Sequence, residues 1–380
     1  MIIPKFPSTG TTIFSVMSAL ANEYKAINLS QGFPDFAIDE KLGTLVQEAI
    51  AAGYNQYAPM PGLPALREAI ARKIKHFQHV TVSPDTEITI TPGATYAIYT
   101  AFTTILQPGD EVIVLEPAYD SYIPNIQTNG AIPVTVALNP GDFSVDWEKV
   151  RNVANSRTKA IIINNPHNPC GNRWTADDFE ELTKLVETYN LFVVADEVYE
   201  HLAFDGEEHL SVLRFPELRR KSFVIYSFGK AFHSTGWKIG YCVAPPELTQ
   251  AFRQLHQYLA FSVNTPMQQA IANYLNDYEN LQATTALLER KRDFFLDNMR
   301  ETKFTWLKPA QGSYFQVMDY SGISRLPDRE FAEWLTKEHG VAAIPLSSFY
   351  REAPDQKLLR FCFAKKEETL LAAVEKLRSL

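Results

Sequence analysis

Residues Ser222 to Tyr241 read SFVIYSFGKAFHSTGWKIGY. The first part carries Phe223, Val224, Ile225 and Tyr226 in an unbroken apolar run, the pattern of a strand covered on both faces rather than one that alternates. Beyond Ser227 the chain changes character. Three glycines, the hydroxyls of Ser234 and Thr235, and two lysines, Lys230 and Lys238, occur together with no carboxylate among them. In an open α/β sheet, ligands bind outside the carboxyl ends of the strands. A strand running directly into such a loop therefore points to a ligand as the partner these lysines lack in the chain.

Upstream, five further segments have the same strand character: EITIT (Glu87–Thr91), EVIVLEP (Glu111–Pro117), IPVTVAL (Ile132–Leu138), KAIIINNP (Lys159–Pro166) and LFVVADE (Leu191–Glu197). They alternate with amphipathic helical segments, which implies an α/β fold with a mostly parallel sheet. One connecting helix is legible in detail. Thr175 is a plausible N-cap with Asp178 three residues on, and Phe179, Leu182, Leu185 and Val186 then share one face. From Pro246 to Arg300 the chain reads as helices, and from Phe304 to the end as a shorter mixed segment. The expected architecture is a three-layer αβα large domain, residues 41–285, and a smaller α+β domain built from 1–40 and 286–380. No internal repeat or flexible linker separates them.

Composition narrows the function. A chain of 380 residues, 46% hydrophobic, has enough material for two domains and a large core. The net charge of −8 and the absence of a basic run argue against nucleic acid or an anionic membrane surface as partner. The longest weakly polar stretch, Ala94–Leu106, is closed by Gly93 and Pro108 and is too short to span a bilayer. MIIPKFPSTGTTIF at the start has no apolar core followed by a cleavage site, so no signal peptide is expected. Cys170, Cys242 and Cys362 are widely spaced without a CxxC, and the histidines form no HExxH pair, so the expected setting is cytoplasmic and reduced, with no metal.

Five strand ends then supply the chemistry: Pro92-Gly93-Ala94-Thr95, Glu116-Pro117-Ala118-Tyr119, Asn165-Pro166-His167-Asn168-Pro169, Asp196-Glu197-Val198-Tyr199 and Ser227-Phe228-Gly229-Lys230. Gly93 permits close backbone approach, and the helix after it offers free N–H groups to a phosphate. Thr95, Ser227 and Lys238 add hydroxyls and a cation. No GxGxxG follows a strand, which favours a monophosphate over a dinucleotide. Asp196, ending a hydrophobic strand, needs a cation such as a protonated pyridine nitrogen. Asn168 and Tyr199 suit a phenolate oxygen, and Tyr119 suits stacking on an aromatic ring. Lys230, in a pocket rich in positive charge, should have a lowered pKa and react as an amine. Together these features describe pyridoxal 5′-phosphate held as a Schiff base.

With SFGKAFHSTGWKIGY, NNPHNPCG, ADEVY and LLRFCF in their places, from NLSQGFPDF (Asn28–Phe36) to Arg360, the sequence resembles the pyridoxal-phosphate-dependent aminotransferases of fold type I, class I/II. The resemblance implies that Lys230 is the Schiff-base lysine, that Asp196 pairs with the ring nitrogen, and that Asn168 and Tyr199 contact the phenolic oxygen. It places Tyr119 on the ring and Gly93, Ala94, Thr95, Ser227 and Lys238 at the phosphate. Arg360 would grip the substrate α-carboxylate, with Asn168, Gly32 and Phe33 beside it. Tyr57 would reach the phosphate of a neighbouring subunit, implying a homodimer. QGFPDF, NNPHNP, GSYF (Gly312–Phe315) and GVAAIPLSSFY (Gly340–Tyr350) look most like the methionine and kynurenine aminotransferase branch. Phe33, Tyr119 and either Phe14 or Phe349 would then form an apolar pocket. The implied reaction is ping-pong transamination between an L-amino acid (methionine, phenylalanine, tyrosine, tryptophan or kynurenine) and a 2-oxo acid. The alternative on the same cofactor is a cysteine-conjugate C–S β-lyase. His233 reads as a packing residue, and Cys170 is given no role.

Overall fold

Consecutive apolar residues put both faces of each central strand in the core, and the computed structural model shows how. It describes residues 10–380, so residues 1–9 of the segment 1–40 assigned to the smaller domain lie outside the described residues. The strands are β1 (Ile27–Asn28), β2 (Ile88–Thr91), β3 (Glu111–Glu116), β4 (Ile132–Ala137), β5 (Thr158–Asn164), β6 (Phe192–Asp196), β7 (Ser222–Ser227), β8 (Gly240–Val243), β9 (Phe315–Asp319), β10 (Val341–Ala342), β11 (Ile344–Pro345) and β12 (Leu358–Cys362).

Seven of them form one sheet in the order β2-β8-β7-β6-β5-β3-β4. From β7 to β4 all pairings are parallel, while β8 runs antiparallel to both β7 and β2. The core divides along this sheet. Val112, Val114, Ile162, Val194, Phe223 and Ile225 face one side with Ile98 and Phe102. Their neighbours Ile113, Ile161, Ile163, Val193, Val224 and Tyr226 face the other with Phe179 and Leu182. Burial of each such side chain is worth about 1.5–3 kcal/mol, which is why the strands read as continuous apolar runs. β4, one of the two edge strands, is less covered than the rest: Ile132 is 44% exposed, and none of the expected site residues follows it.

The six expected strands are all present. β8 was not expected, because four residues beginning with glycine inside a lysine- and glycine-bearing loop carry too little strand signal. The helix Ala176–Tyr189 has the expected capping box between Thr175 and Asp178, and its four apolar residues are buried.

A second, antiparallel sheet has the order β11-β12-β9, and β1 pairs in parallel with β10. Leu29 N–H donates to the Ala342 carbonyl at 3.0 Å and the Leu29 carbonyl accepts from Cys362 N–H at 2.8 Å, so the segment near residue 30 is stitched to the C-terminal part. The helix Glu279–Met299, 21 residues long, is continuous through the boundary expected at residue 285. Among the described residues, no helix is long and apolar enough to cross a membrane.

Candidate active site

The ends of β2, β3, β5, β6 and β7 surround a cavity of about 300 Å³, closed on its other side by Phe14, Gln31, Gly32, Phe315 and Arg360. Of the expected site residues, Gly93, Ala94, Thr95, Tyr119, Asn168, Asp196, Tyr199, Ser227, Lys230, Lys238, Gly32 and Arg360 line it.

At one end, Gly93 caps the helix Ala94–Ile105 with φ of 84°, in the left-handed region, and the helix has no acidic residue in its first turn and no side chain capping it. A Cβ on Gly93 would lie 3.3 Å from Lys238 Cε and 3.4 Å from its Nζ. Gly240 is tighter still: a Cβ there would lie 2.6 Å from the Tyr226 carbonyl oxygen and 3.0 Å from the Gly93 carbonyl carbon. Two glycines thus let an ammonium close on a helix N-terminus beside the hydroxyls of Thr95 and Ser227. Free N–H groups, a positive dipole end and a cation are the donor set a phosphate dianion requires.

Lys230 stands in the short helix Phe228–Ala231 at the end of β7. Burial lowers its pKa to about 8; Asp196 and Cys362 oppose the fall, and Arg360 and Lys238 deepen it slightly. The direction is the one expected from the sequence, but the main cause is burial rather than neighbouring cations. Its Nζ donates to Tyr314 Oη at 3.1 Å.

Asp196, at the last position of β6, is 5% exposed. Tyr122 Oη donates to its Oδ2 at 2.6 Å, and Val198 N–H reaches Oδ1 at 3.3 Å. Burial nevertheless pushes its pKa up to about 6. A carboxylate held at such a cost in the cavity wall suits a cationic nitrogen in front of it. Asn164 braces the loop after β5: its Nδ2 donates to the Asp196 carbonyl at 2.8 Å and its Oδ1 accepts from Asn168 N–H at 2.7 Å.

Arg360 lies on β12 and is completely buried. Nη1 donates to Asn168 Oδ1 and Nη2 to the Ser30 carbonyl, each at 2.8 Å, while Nε has no partner among the described residues. Its guanidinium sits 3.9 Å from the Phe315 ring centroid, with Phe14 at 5.2 Å and Phe349 at 5.1 Å. Burial lowers its pKa to about 10, which leaves it cationic at neutral pH. A planar cation in the cavity wall, with aromatic rings close around it, is suited to a planar carboxylate.

Two expected residues lie elsewhere. Tyr57 is 81% exposed and packs edge-on against Phe261 at 5.4 Å. Phe33 is 45% exposed because the loop turns it outward, where Lys365 Nζ binds its carbonyl at 2.7 Å and sits 4.8 Å above its ring. Gly32 takes the wall position instead. Phe14 reaches the cavity, while Phe349 backs Arg360 without lining it. His233 packs edge-on against Phe36 at 4.7 Å and burial lowers its pKa to about 4.

The sequence reading missed Gln31, Ile98, Asn164, Val198, Thr235 and Phe315 in the lining, and Tyr122 and Tyr314 behind it. Asn164 is the first asparagine of NNPHNP, and Phe315 closes GSYF, so both sat inside motifs that the resemblance already used. Among the described residues, no group of three or more His, Cys, Asp or Glu is arranged to hold a metal. The residues present fit pyridoxal 5′-phosphate at three points: a cradle for its phosphate, a buried carboxylate for its ring nitrogen, and an amine near neutrality for its aldehyde.

Comparison with known proteins agrees with this chemistry. The family model for aminotransferase class I and II matches residues 24–377. The methionine aminotransferase of Escherichia coli (strain K12) is 48% identical over 377 residues, which cover 99% of this chain and 97% of the relative. The human kynurenine–oxoglutarate transaminase 1 is 33% identical, with 94% and 93% covered. Among solved structures, an Escherichia coli protein identified as having a methionine aminotransferase function superposes with a TM-score of 0.97 at 47% identity over 100% of both chains. N-succinyldiaminopimelate aminotransferase from Mycobacterium tuberculosis gives 0.96 at 38% identity, again over 100% of both. With matching residues and a matching fold, the chain belongs to the class I and II aminotransferases, enzymes that depend on pyridoxal 5′-phosphate.

Proposed function

We propose that this aminotransferase acts on L-amino acids with apolar or aromatic side chains: methionine, phenylalanine, tyrosine, tryptophan or kynurenine, with a 2-oxo acid as the returning partner in a ping-pong cycle. One observation carries the reading: among the described residues Arg360 is the single guanidinium in the cavity lining, and aromatic rings surround it. A dicarboxylic donor needs a second cation for its distal carboxylate, whereas a thioether or an aromatic ring finds apolar surface here. Methionine and kynurenine are also the substrates named for two relatives.

In this reading Gly93, Ala94, Thr95, Ser227 and Lys238 hold the cofactor phosphate, Asp196 the ring nitrogen, and Asn168 and Tyr199 the phenolic oxygen, with Tyr119 against the ring. When bound, the cofactor supplies an electron sink for the charge left at the substrate Cα. Arg360 fixes the α-carboxylate and so orients the Cα–H bond. Lys230 Nζ, an amine near neutrality, takes the proton from Cα. Tyr199 and Asn168 stay as donors, since burial keeps the Tyr199 hydroxyl protonated.

The same reading includes a cytoplasmic homodimer in which Tyr57 crosses to the neighbouring site; the exposure of Tyr57, Tyr258 (86%) and Phe261 (51%) supports such a contact. It also keeps the division into 41–285 and 1–40 with 286–380, supported by the pairing of β1 with β10. The test is a donor panel in single half-turnovers, followed by the spectral change of the bound cofactor. Methionine, phenylalanine and kynurenine should react faster than aspartate; faster reaction with aspartate rejects the pocket reading. Release of pyruvate and ammonia from a cysteine conjugate without added oxo acid would establish the lyase instead.

A further inference from the structure

GSYF places Tyr314 in a position that the binding roles above leave unused. Its side chain is fully buried, with its ring packed on Tyr199 at 5.2 Å and Phe315 at 4.8 Å. Its hydroxyl joins two functional elements. It accepts from Lys230 Nζ at 3.1 Å and donates to the Gly32 carbonyl at 2.6 Å. A phenol has one proton, and here the Gly32 carbonyl takes it. What Tyr314 shows to Lys230 is therefore a lone pair.

The loop that holds Gly32 is itself tied to the substrate pocket. A Cβ on Gly32 would lie 2.6 Å from Phe315 Cζ, so the loop sits directly on the motif. Next to it, Gln31 Nε2 donates to the Phe14 carbonyl at 2.9 Å and to Ser18 Oγ at 2.5 Å. Phe14 stands on the helix Ile13–Glu23 and lines the cavity. Two sets of hydrogen bonds, joined by the covalent Gln31–Gly32 link, thus connect the wall residue Phe14 to Tyr314 and Lys230.

We propose that Tyr314 is a positioning residue that ties the orientation and basicity of the Lys230 amine to the seating of the Gln31–Gly32 loop. With the loop seated, the hydroxyl proton is held by Gly32, and the Tyr314 lone pair fixes one N–H of Lys230, leaving the rest of the amine for the substrate. With the loop displaced, the hydroxyl is free to turn its proton toward the amine and compete for its lone pair. The bond from Lys230 is stronger when the lysine is charged, so Tyr314 favours the ammonium form and keeps burial from lowering its pKa further. The proposal rests on the reading of Lys230 as the acting lysine.

The test uses the cofactor-free full-length protein as well as the loaded enzyme. The rate at which an amine-specific acylating reagent modifies Lys230 is followed against pH by peptide mass spectrometry. Tyr314→Phe should move the midpoint down by about one pH unit, the size expected for a lost hydrogen bond to a charged group. The other titratable groups facing the amine, Asp196, Cys362, Arg360, Lys238 and Tyr199, all remain in the variant; Tyr199 loses the neighbouring Tyr314 hydroxyl, but burial keeps it neutral. In the loaded enzyme kcat should fall with little change in donor KM. Gln31→Ala should shift the midpoint in the same direction and add nothing in the Tyr314→Phe background. An unmoved midpoint in Tyr314→Phe, or a Gln31→Ala shift that persists in that background, overturns the proposal. Should Tyr314→Phe fail to fold, 4-fluorophenylalanine at 314 fills the space of the hydroxyl with a group that neither ionises nor donates and is a very poor acceptor; the midpoint must still fall, and an unchanged midpoint is equally fatal. Lys230→Ala separates the two readings: if that variant kept the cofactor's covalent absorbance and the activity, the lysine assignment itself would fail, whatever Tyr314 does.

Discussion

Tyr122 has no expected contact with substrate, yet its removal should change how the enzyme holds its cofactor in a pH-dependent way. The Asp196 carboxyl is buried and its pKa stands at about 6, with the Tyr122 hydroxyl, 2.6 Å away, among the groups holding it down. Burial raises the Tyr122 pKa well above the ordinary phenol value, so it remains a donor throughout. A hydrogen bond to a charged group is worth about 1.5–3 kcal/mol, and a pKa unit about 1.4, so Tyr122→Phe should raise the Asp196 pKa by about one to two units. At pH 7 its ionised fraction would fall from about nine-tenths to between about one-half and one-tenth. The phenylalanine ring keeps the edge contact with Tyr119 at 5.7 Å, so packing changes little. The assay is a titration of cofactor-free protein with pyridoxal 5′-phosphate from pH 5.5 to 9, reported as the ratio of variant to wild-type dissociation constants so that the titration of Lys230 cancels. The ratio should lie near one at pH 9 and grow steadily as pH falls, to about 2- to 10-fold at pH 7 and about 8- to 75-fold at pH 5.5. A ratio that stays flat across the range would show that Tyr122 does not tune Asp196.

The same geometry sets three further outcomes. Because the folded-state pKa of Asp196 is raised from 3.8 to about 6, its contribution to the stability of the cofactor-free protein is fully present below pH 4 and is lost as pH rises through about 6. Asp196→Asn should therefore stabilise the cofactor-free protein at pH 7.5 by about 3 kcal/mol, with the gap in melting temperature closing below pH 4. Arg360→Lys loses the planar fork on Asn168 and Ser30 and the stacking on Phe315; donor KM should rise by about 10- to 100-fold in steady-state kinetics, with cofactor absorbance unchanged. Lys73 is buried, pairs with Glu200 and donates to Tyr241 Oη at 2.6 Å. Lys73→Met leaves that carboxylate uncompensated, and chemical denaturation should register a loss of about 3–5 kcal/mol.

The sheet was legible in the sequence because strands covered on both faces carry consecutive apolar residues, as Val112–Leu115, Ala160–Ile163, Phe192–Ala195 and Phe223–Tyr226 do. The ligand-facing residues were legible for a related reason: chemistry concentrated at successive strand ends has few structural explanations. Tyr122, Tyr314 and Gln31 were not legible. Tyr122 and Tyr314 act on other side chains and on the backbone, across separations of 74 residues to Asp196, 84 to Lys230 and 282 to Gly32, and Gln31 bonds back to Phe14 and Ser18 on the helix before it. A tyrosine near a strand end looks the same whether its hydroxyl works or its ring merely packs. Phe33 shows a different limit. Gly32 and Phe33 were both expected at the substrate, and only Gly32 lines the cavity; the segment is a run of bends with no strand or helix period, so nothing in QGFPDF says which way the Phe33 ring turns. The pKa of Lys230 was expected to fall through neighbouring charge, whereas burial dominates, and burial is a property of the assembled fold rather than of the stretch around the lysine.

Every role assigned in the site turns on which lysine joins the cofactor, since Lys230 and Lys238 both border the cavity. Borohydride reduction of the loaded enzyme makes that bond permanent, and peptide mass spectrometry then locates it. The geometry predicts the cofactor mass on Lys230 alone, with Lys238 unmodified at the phosphate. Cofactor found on Lys238, or on any lysine outside the cavity, would overturn the assignment.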